Sequence, residues 1–253
     1  MASSPGAGII RRICDEYDAQ QFADGRATAE LDEAHPRVSQ LLRLIGSPHR
    51  VLDIGISRGD FAAALARHGN RVVGVDISAQ AVSLSRARGI EAYRLDVETD
   101  PLTELGEFDG ALMLEIVEHL IDPLFVLRKV REIIRPGGWL VLSTPNAAYV
   151  KWRLELLRGE LPAFGEARRF PSEPRPYNLF HKTPLTIGCL RRLLEMSGFR
   201  LVHLAPEDYG VSPRWDKPVV RGTREWLRRR WPSLFAGAVV VKCELAAREG
   251  SAR

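Results

Sequence analysis

The sequence is poor in cysteine and contains no long hydrophobic segment. Its 253 residues include only Cys14, Cys189 and Cys243, which are far apart and lack the close spacing typical of metal ligands. No apolar run approaches the roughly 20 residues that a membrane-spanning helix needs. The amino-terminal residues also lack a charged segment followed by a hydrophobic one, so we expect no signal peptide. These absences predict a protein of the reducing cytoplasm.

Charge is distributed unevenly along the chain, although the net charge is only +4. Residues 1–149 contain 16 Lys and Arg against 21 Asp and Glu, a net charge of −5. Residues 150–231 contain 17 against 9, a net charge of +8. A basic region suits an anionic substrate, a membrane surface or nucleic acid. A solvated arginine-rich surface explains it equally well.

The most informative segment is VLDIGISRGDF, residues 51–61, where an apolar strand runs into two glycines four positions apart. A helical pattern follows, and a second apolar strand, residues 71–76, ends in a carboxylate. This order is typical of a β–α–β unit that binds a nucleotide. Gly55 allows a sharp turn after the strand, and Gly59 lets the next helix approach the sheet. Asp76 is then placed to accept hydrogen bonds from both hydroxyls of a ribose.

Two details distinguish this turn from one that binds a dinucleotide. Asp53 precedes the first glycine, where a dinucleotide-binding strand usually ends in an apolar residue, and Ser57 replaces the middle glycine. A carboxylate beside the turn repels a pyrophosphate but attracts a cationic sulfonium with an α-amino group. The run resembles motif I of the class I S-adenosylmethionine (SAM) methyltransferases, and this resemblance implies that SAM is the ligand of the turn.

Strands and helices alternate over residues 50–143 with short connections, which predicts a parallel sheet covered on both faces. Further strands are predicted at about residues 200–205 and at residues 238–245. We therefore expect an α/β, Rossmann-like, doubly wound sheet of seven strands, mostly parallel with an antiparallel last strand. A single domain, 1–253, would comprise an amino-terminal helical cap (1–46), a cofactor-binding core (47–145) and two substrate-side insertions after strands 5 and 6 (146–184 and 206–237).

Polar residues follow the third and fourth predicted strands. Asp96 and Val97 come after the third strand, where a carboxylate and a backbone amide suit the adenine ring; a turn-capping role for Asp96 is the alternative. The fourth strand leads into EIVEHLIDP, which delivers Glu115, Glu118 and His119 to the same edge. A helix, a Pro-Gly-Gly turn and a strand ending in STPN come next.

This order of motifs resembles that of the class I SAM-dependent methyltransferases. Within this class, the chain looks like the large group with the signature E-x-x-E-H-x-x-D-P, P-G-G and S-T-P-N, which includes quinone-biosynthesis O-methyltransferases and many enzymes of sugar and natural-product pathways. The resemblance covers roughly residues 35–205 and implies an enzyme that uses SAM. The cofactor-binding residues predicted from the turn and the resemblance are Asp53, Gly55, Ser57, Gly59, Asp76, Ile77, Asp96, Val97 and Glu115.

Methyl transfer from a sulfonium to a hydroxyl needs alignment of donor and acceptor, and a base assists it. His119 directly follows the fourth strand and is the candidate catalytic base, with Glu118 orienting it or the acceptor. A helix-capping or packing histidine is the alternative. The candidate substrate residues are Tyr17, Asn146, Tyr177 and His181. Simple packing is the alternative for Tyr17, Tyr177 and His181.

The leading hypothesis is O-methylation of a small molecule, such as a sugar, a quinone or a lipid-linked or natural-product precursor, without a metal ion. An anionic acceptor would suit the basic region. A second hypothesis is RNA 2′-O-methylation, because Glu115, Glu118, His119 and His181 resemble the metal site of small-RNA methyltransferases. The small-molecule group often has a histidine shortly before the helix that precedes strand 6, and in this sequence that position holds Asn178. A third hypothesis is a SAM-binding accessory protein, because the residues after STPN resemble an accessory protein of methionine biosynthesis.

The segment TREWLRRRWPSLF, residues 223–235, combines arginines with large apolar residues. This composition suits peripheral contact with anionic lipid or stacking on nucleic acid. We favour a third interpretation, an amphipathic helix packed on the sheet, and nucleic acid is the least favoured partner. The expected assembly is a monomer or a homodimer.

Overall fold

The computed structural model describes residue 33, residues 36–162, residues 181–207 and residues 218–246. The strands are β1 (Arg50–Ile54), β2 (Arg71–Asp76), β3 (Glu91–Arg94), β4 (Phe108–Leu114), β5 (Ile134–Pro145), β6 (Phe199–Glu207) and β7 (Ala238–Leu245). The helices are α1 (Pro36–Ile45), α2 (Asp60–Arg67), α3 (Ala79–Ala87), α4 (Pro123–Ile133), α5 (Val150–Leu157), α6 (Ile187–Met196), α7 (Pro218–Arg230) and α8 (Pro232–Phe235). Short 3₁₀ helices occur at Thr103–Leu105 and Val117–His119.

The seven strands form one sheet in the order β3-β2-β1-β4-β5-β7-β6. Strands β1 to β5 pair in parallel, whereas β7 is antiparallel to both of its neighbours. The predicted α/β, doubly wound sheet with an antiparallel last strand is confirmed. The strand order reverses between β1 and β4, and ligands of such sheets bind beyond the carboxyl ends of the strands at this point.

Alternating side chains of the central strands build a core on each face of the sheet. Leu52 and Ile54 of β1 belong to one buried apolar cluster, and Val51 of the same strand belongs to the other. Helices cover both faces, so the central strands consist of almost uninterrupted apolar residues. This packing fixes the strand ends that carry the polar residues.

The boundary between α4 and β5 differs from the prediction, which placed a Pro-Gly-Gly turn between the helix and the strand. In the structure β5 begins at Ile134, which pairs with Phe108, and the register then shifts so that Trp139 pairs with Gly110. A β-carbon at residue 110 would lie 2.3 Å from the Trp139 ring. Glycine is therefore required there, because the indole lies against the backbone of β4.

The described part of the predicted insertion after strand 6 contains regular structure, including helices over residues 223–235, where sequence analysis favoured an amphipathic helix. Strand β6 extends to Glu207, and helices α7 and α8 occupy most of residues 218–235. None of the helices in the described ranges has the length and apolar character needed to cross a bilayer. Of the predicted helical cap, 1–46, the described helix is α1, and Tyr17 and Tyr177 lie outside the described residues.

Candidate active site

The turn after β1 is built on two glycines with left-handed backbone conformations. Gly55 has a φ of 77°, and its amide donates to the Val75 carbonyl at 2.8 Å. A β-carbon on Gly55 would lie 2.0 Å from Cδ1 of Ile116, so the turn is packed directly under the residues that follow β4. Gly59 has a φ of 73°, and a β-carbon there would lie 2.9 Å from the Ser85 hydroxyl. Both positions therefore require glycine for conformation and for space.

Asp76 connects this turn to the next helix. Its Oδ2 accepts the Ser57 amide and its Oδ1 accepts the Ser78 amide, each at 2.9 Å. Ser57 has a φ of 52°, a region that favours glycine, so this serine holds its conformation at some energetic cost. A carboxylate oxygen has more than one acceptor site. Asp76 thus combines a structural role with a geometry that suits ribose hydroxyls.

Asp53 is a carboxyl group in an unfavourable environment. The residue lies in β1, two positions before Gly55, and is only 5% exposed. Burial, and secondarily the negative charge of Asp76, raises the pKa of Asp53 from 3.8 to about 7. A cation bound beside it would stabilise the ionised form. The carboxylates of Asp53 and Asp76 at this edge therefore fit the positively charged sulfonium and ammonium groups of SAM, and they do not fit a pyrophosphate.

The loop after β3 is fixed by the turn-capping contact that sequence analysis gave as the alternative for Asp96, and by a lysine that it did not foresee. Asp96 Oδ1 accepts the Glu98 amide at 2.9 Å, as a turn-capping residue does. Lys129 of α4 donates to the carbonyls of Val97 and Asp100 at 2.7 and 2.6 Å. No described residue accepts a hydrogen bond from the Val97 amide. The loop thus presents a carboxylate and a backbone donor, the pair expected for adenine.

Glu115 stands at the carboxyl end of β4 with its side chain fixed by two neighbours. Its Oε1 accepts hydrogen bonds from Ser143 at 2.7 Å and from Arg37 at 3.1 Å. Arg37 also forms an ion pair with Glu207 at 3.2 Å. Sequence analysis missed Arg37, because a basic residue in an amphipathic helix carries no local signal of such a role.

Glu118, His119 and His181 come together although His181 lies more than 60 residues further along the chain. One donor atom of each residue lies within 4.8 Å of the other two, and the two imidazole rings meet edge to face with centroids 4.8 Å apart. Glu118 is 1% exposed, and its Oε2 accepts a hydrogen bond from Thr144 at 3.1 Å. The backbone amide of Thr183 donates to the Glu118 carbonyl, which anchors the His181 segment. Such a cluster is suited to holding a proton, or a divalent metal ion through two nitrogens and an oxygen.

Asn146 is buried at the start of the segment that follows β5. Its amide nitrogen donates to the carbonyls of Ser233 and Ala236 at 3.2 and 2.9 Å. Its Oδ1 accepts the Ala148 amide at 3.1 Å. These contacts favour a structural role for Asn146, which joins the chain after β5 to the segment before β7.

The fold and the carboxylates at the carboxyl ends of its parallel strands together define a SAM-dependent methyltransferase. A family model for a methyltransferase domain matches residues 22–204, and the chain belongs to this family. SAM is accordingly its cofactor.

Individual relatives agree with this assignment. A ubiquinone biosynthesis O-methyltransferase of Bordetella avium is 27% identical over 239 residues, which cover 88% of this chain and 98% of the relative. A SAM-dependent methyltransferase structure from Archaeoglobus fulgidus has a TM-score of 0.57 at 21% identity, covering 91% of this chain and 99% of the other. A Burkholderia thailandensis N1-methyltransferase with bound 1,6-didemethyltoxoflavin and S-adenosylhomocysteine has a TM-score of 0.58 at 20% identity, covering 98% and 92%.

Proposed function

We propose that the protein transfers the methyl group of SAM to a hydroxyl of a small molecule, such as a sugar, a quinone or a lipid-linked or natural-product precursor. The observation that carries this proposal is the cluster of Glu118, His119 and His181, which lies just after Glu115 at the ligand edge of the sheet. A hydroxyl acceptor must lose a proton during the transfer, so a neighbouring imidazole is useful to it. The relatedness to a ubiquinone biosynthesis O-methyltransferase supports a hydroxyl acceptor.

Different residues at the strand ends bind different parts of SAM. We assign the ribose to Asp76 with Ile77, and the adenine to Asp96 and Val97. We assign the methionine end to Asp53 and Glu115, with Gly55, Ser57 and Gly59 shaping the turn. When bound, SAM supplies a methyl group that its positive sulfur has already activated.

His119 then acts as the base. The acceptor oxygen bonds to the methyl carbon as the carbon–sulfur bond breaks, and the electron pair of that bond stays on sulfur. The hydroxyl proton moves to the His119 imidazole, and the negative charge of Glu118 stabilises the resulting cation. Thr144 holds the Glu118 carboxylate in place through a hydrogen bond of 3.1 Å.

The test is transfer of labelled methyl from SAM into a host lysate, separated into organic-soluble, polar small-molecule, RNA and protein fractions. Label is expected in one of the two small-molecule fractions. The His119→Ala variant should lose about a hundredfold or more of this activity. His203→Ala, which removes an exposed histidine of β6, is the matched control and should retain it. Label in protein alone, or full activity in His119→Ala, would contradict the proposal.

Metal-assisted methylation of RNA is the second candidate, and the convergence of His181 on Glu118 and His119 favours it. Two imidazole nitrogens and a carboxylate suit Mn²⁺ or Zn²⁺. This candidate requires label in the RNA fraction that is abolished by EDTA and restored by added Mn²⁺. Activity that persists in EDTA removes it and leaves the metal-free reaction.

Helices α7 and α8 support a further proposal, peripheral contact with anionic lipid. Sequence analysis favoured packing for this segment, but Trp226 and Trp231 are 58% and 44% exposed, and their rings meet edge to face at 5.4 Å. Exposed Arg229 and Arg230 lie beside them, and this combination is typical of interfacial helices. Binding to vesicles containing phosphatidylglycerol should exceed binding to phosphatidylcholine vesicles and should fall in Trp226→Ala. Equal binding to both lipids would contradict the proposal.

A further inference from the structure

Glu98 connects the loop after β3 to the segment that follows β4. Its Oε1 accepts hydrogen bonds from the backbone amides of Ile121 and Asp122 at 2.8 and 3.0 Å. These residues come two and three positions after His119 in the chain. A carboxylate forms stronger hydrogen bonds with backbone amides than a neutral acceptor does. One oxygen that accepts two successive amides therefore fixes the path of the chain just beyond the proposed base.

Glu98 belongs to the same short loop as the residues assigned to adenine. Its amide donates to Oδ1 of Asp96 at 2.9 Å, and the Asp96 amide donates to Oδ2 of Asp100 at 2.9 Å. Lys129 of α4 binds the carbonyls of Val97 and Asp100. These hydrogen bonds tie the loop together, so a ligand that contacts Asp96 or Val97 acts on the segment that carries Glu98.

The segment 118–122 is also held by Thr183. The Thr183 hydroxyl donates to the Leu120 carbonyl at 2.8 Å, and the Thr183 amide donates to the Glu118 carbonyl at 3.0 Å. Thr183 thus holds the first residues of the segment, and the carboxylate from the loop after β3 holds the last two. His119 lies within this segment, so its position depends on both sets of contacts.

We propose that Glu98 is a positioning residue that couples the binding of SAM to the placement of His119. When adenine binds, it restricts the loop after β3, and the Glu98 carboxylate in turn restricts the chain beyond His119. Such coupling is reciprocal, so an ordered His119 segment also favours binding of the cofactor. The proposal rests on the proposed function, in which adenine lies at Asp96 and Val97 and His119 is the base.

The first test is hydrogen exchange of the Ile121 and Asp122 amides, followed by NMR with and without adenosine. Adenosine contains the adenine and ribose of SAM but lacks the methionine end, so it isolates the effect of the loop after β3. A saturating concentration should slow exchange of both amides about tenfold, because it stabilises their hydrogen bonds against local opening. This measurement needs no variant, and unchanged exchange in the unmodified protein would overturn the proposal by itself.

Three variants separate the coupling from a general effect on stability. Glu98→Ala should lose the slowing at adenosine concentrations that titration calorimetry shows to be saturating. Glu98 is half-buried, so water can replace its carboxylate and the variant should fold. Glu98→Gln keeps an acceptor oxygen and should retain most of the slowing, and Thr99→Ala, which removes an exposed side chain of the same loop, should behave as the unmodified protein does. Equal slowing in Glu98→Ala would contradict the role of the carboxylate.

The second test is turnover in the labelled-methyl assay at saturating SAM. Glu98→Ala should lose about tenfold of the activity because the base is displaced, and Glu98→Gln should recover most of it. In the His119→Ala background, Glu98→Ala should cause no further loss, since it acts through the base; additive losses would overturn the proposal. Full activity in His119→Ala would refute the base and with it the proposed function. Unchanged hydrogen exchange, with His119→Ala inactive, would refute only the coupling through Glu98.

Discussion

Replacing Asp53 with asparagine is expected to stabilise the ligand-free protein at alkaline pH. The folded-state pKa of Asp53 is about 7 because of burial, against an ordinary value of 3.8. Between these values the folded state holds a proton that the unfolded state has lost, so the free energy of unfolding falls as the pH rises through this window. The difference of about three pH units corresponds to about 4 kcal/mol of destabilisation above pH 7. Asparagine has no charge to bury and avoids this cost.

The assay is urea denaturation of both proteins at pH 5 and pH 8.5 without SAM. The advantage of Asp53→Asn should grow by about 3 kcal/mol between these two conditions, because most of the window lies between them. Glu104→Gln, which removes an exposed carboxylate, is the control and should show no such growth. A constant difference between Asp53→Asn and the unmodified protein would refute the reasoning. The same variant should bind SAM less well, since the cation loses its partner.

Three further predictions concern the packing. Gly110→Ala should lower the free energy of unfolding by about 1–3 kcal/mol in urea denaturation, because the new methyl group would meet the Trp139 ring; an unchanged midpoint would contradict this. Ser78→Ala should cost about 1 kcal/mol in the same assay, because the Ser78 hydroxyl oxygen accepts an amide at the start of α3, and a loss of several kcal/mol would point to another role. Burial raises the pKa of the Cys243 thiol to about 12. Maleimide should therefore modify the exposed Cys189 of the native protein and spare the buried Cys243, and peptide mapping locates the modified residue. Modification of Cys243 at a similar rate would show that β7 opens.

The parts of the fold that sequence predicted are those where local pattern and tertiary contact agree. The turn at Gly55 and Gly59 needs left-handed conformations and space, and only glycine satisfies both, so the requirement is visible in the sequence. Ser57 shows the limit of this logic, because its φ of 52° is also left-handed although the residue is not glycine. The start of β5 at Ile134 was not predicted, since the register shift opposite Phe108 depends on how two distant strands meet.

The site residues that directly follow a strand were predictable from the sequence, whereas the contacts between residues far apart in the chain were not. Glu118 and His119 follow β4 within one motif, so their position at the edge was expected from sequence. The approach of His181 depends on the contact between Thr183 and the Glu118 carbonyl, which no local pattern encodes. Arg37 likewise reaches Glu115 and Glu207 only because α1 packs across the ends of β4 and β6.

The position of β7 has a consequence for synthesis of the protein. This strand lies between β5 and β6, yet it follows β5 by about 90 residues along the chain. At about 5–20 residues per second, a ribosome needs on the order of 5–20 s to cover that distance. During this interval the nascent chain presents β5 as an open edge, and such edges pair readily with other chains. Mutations that slow the arrival or docking of β7 should therefore reduce the soluble yield before they measurably change the finished enzyme.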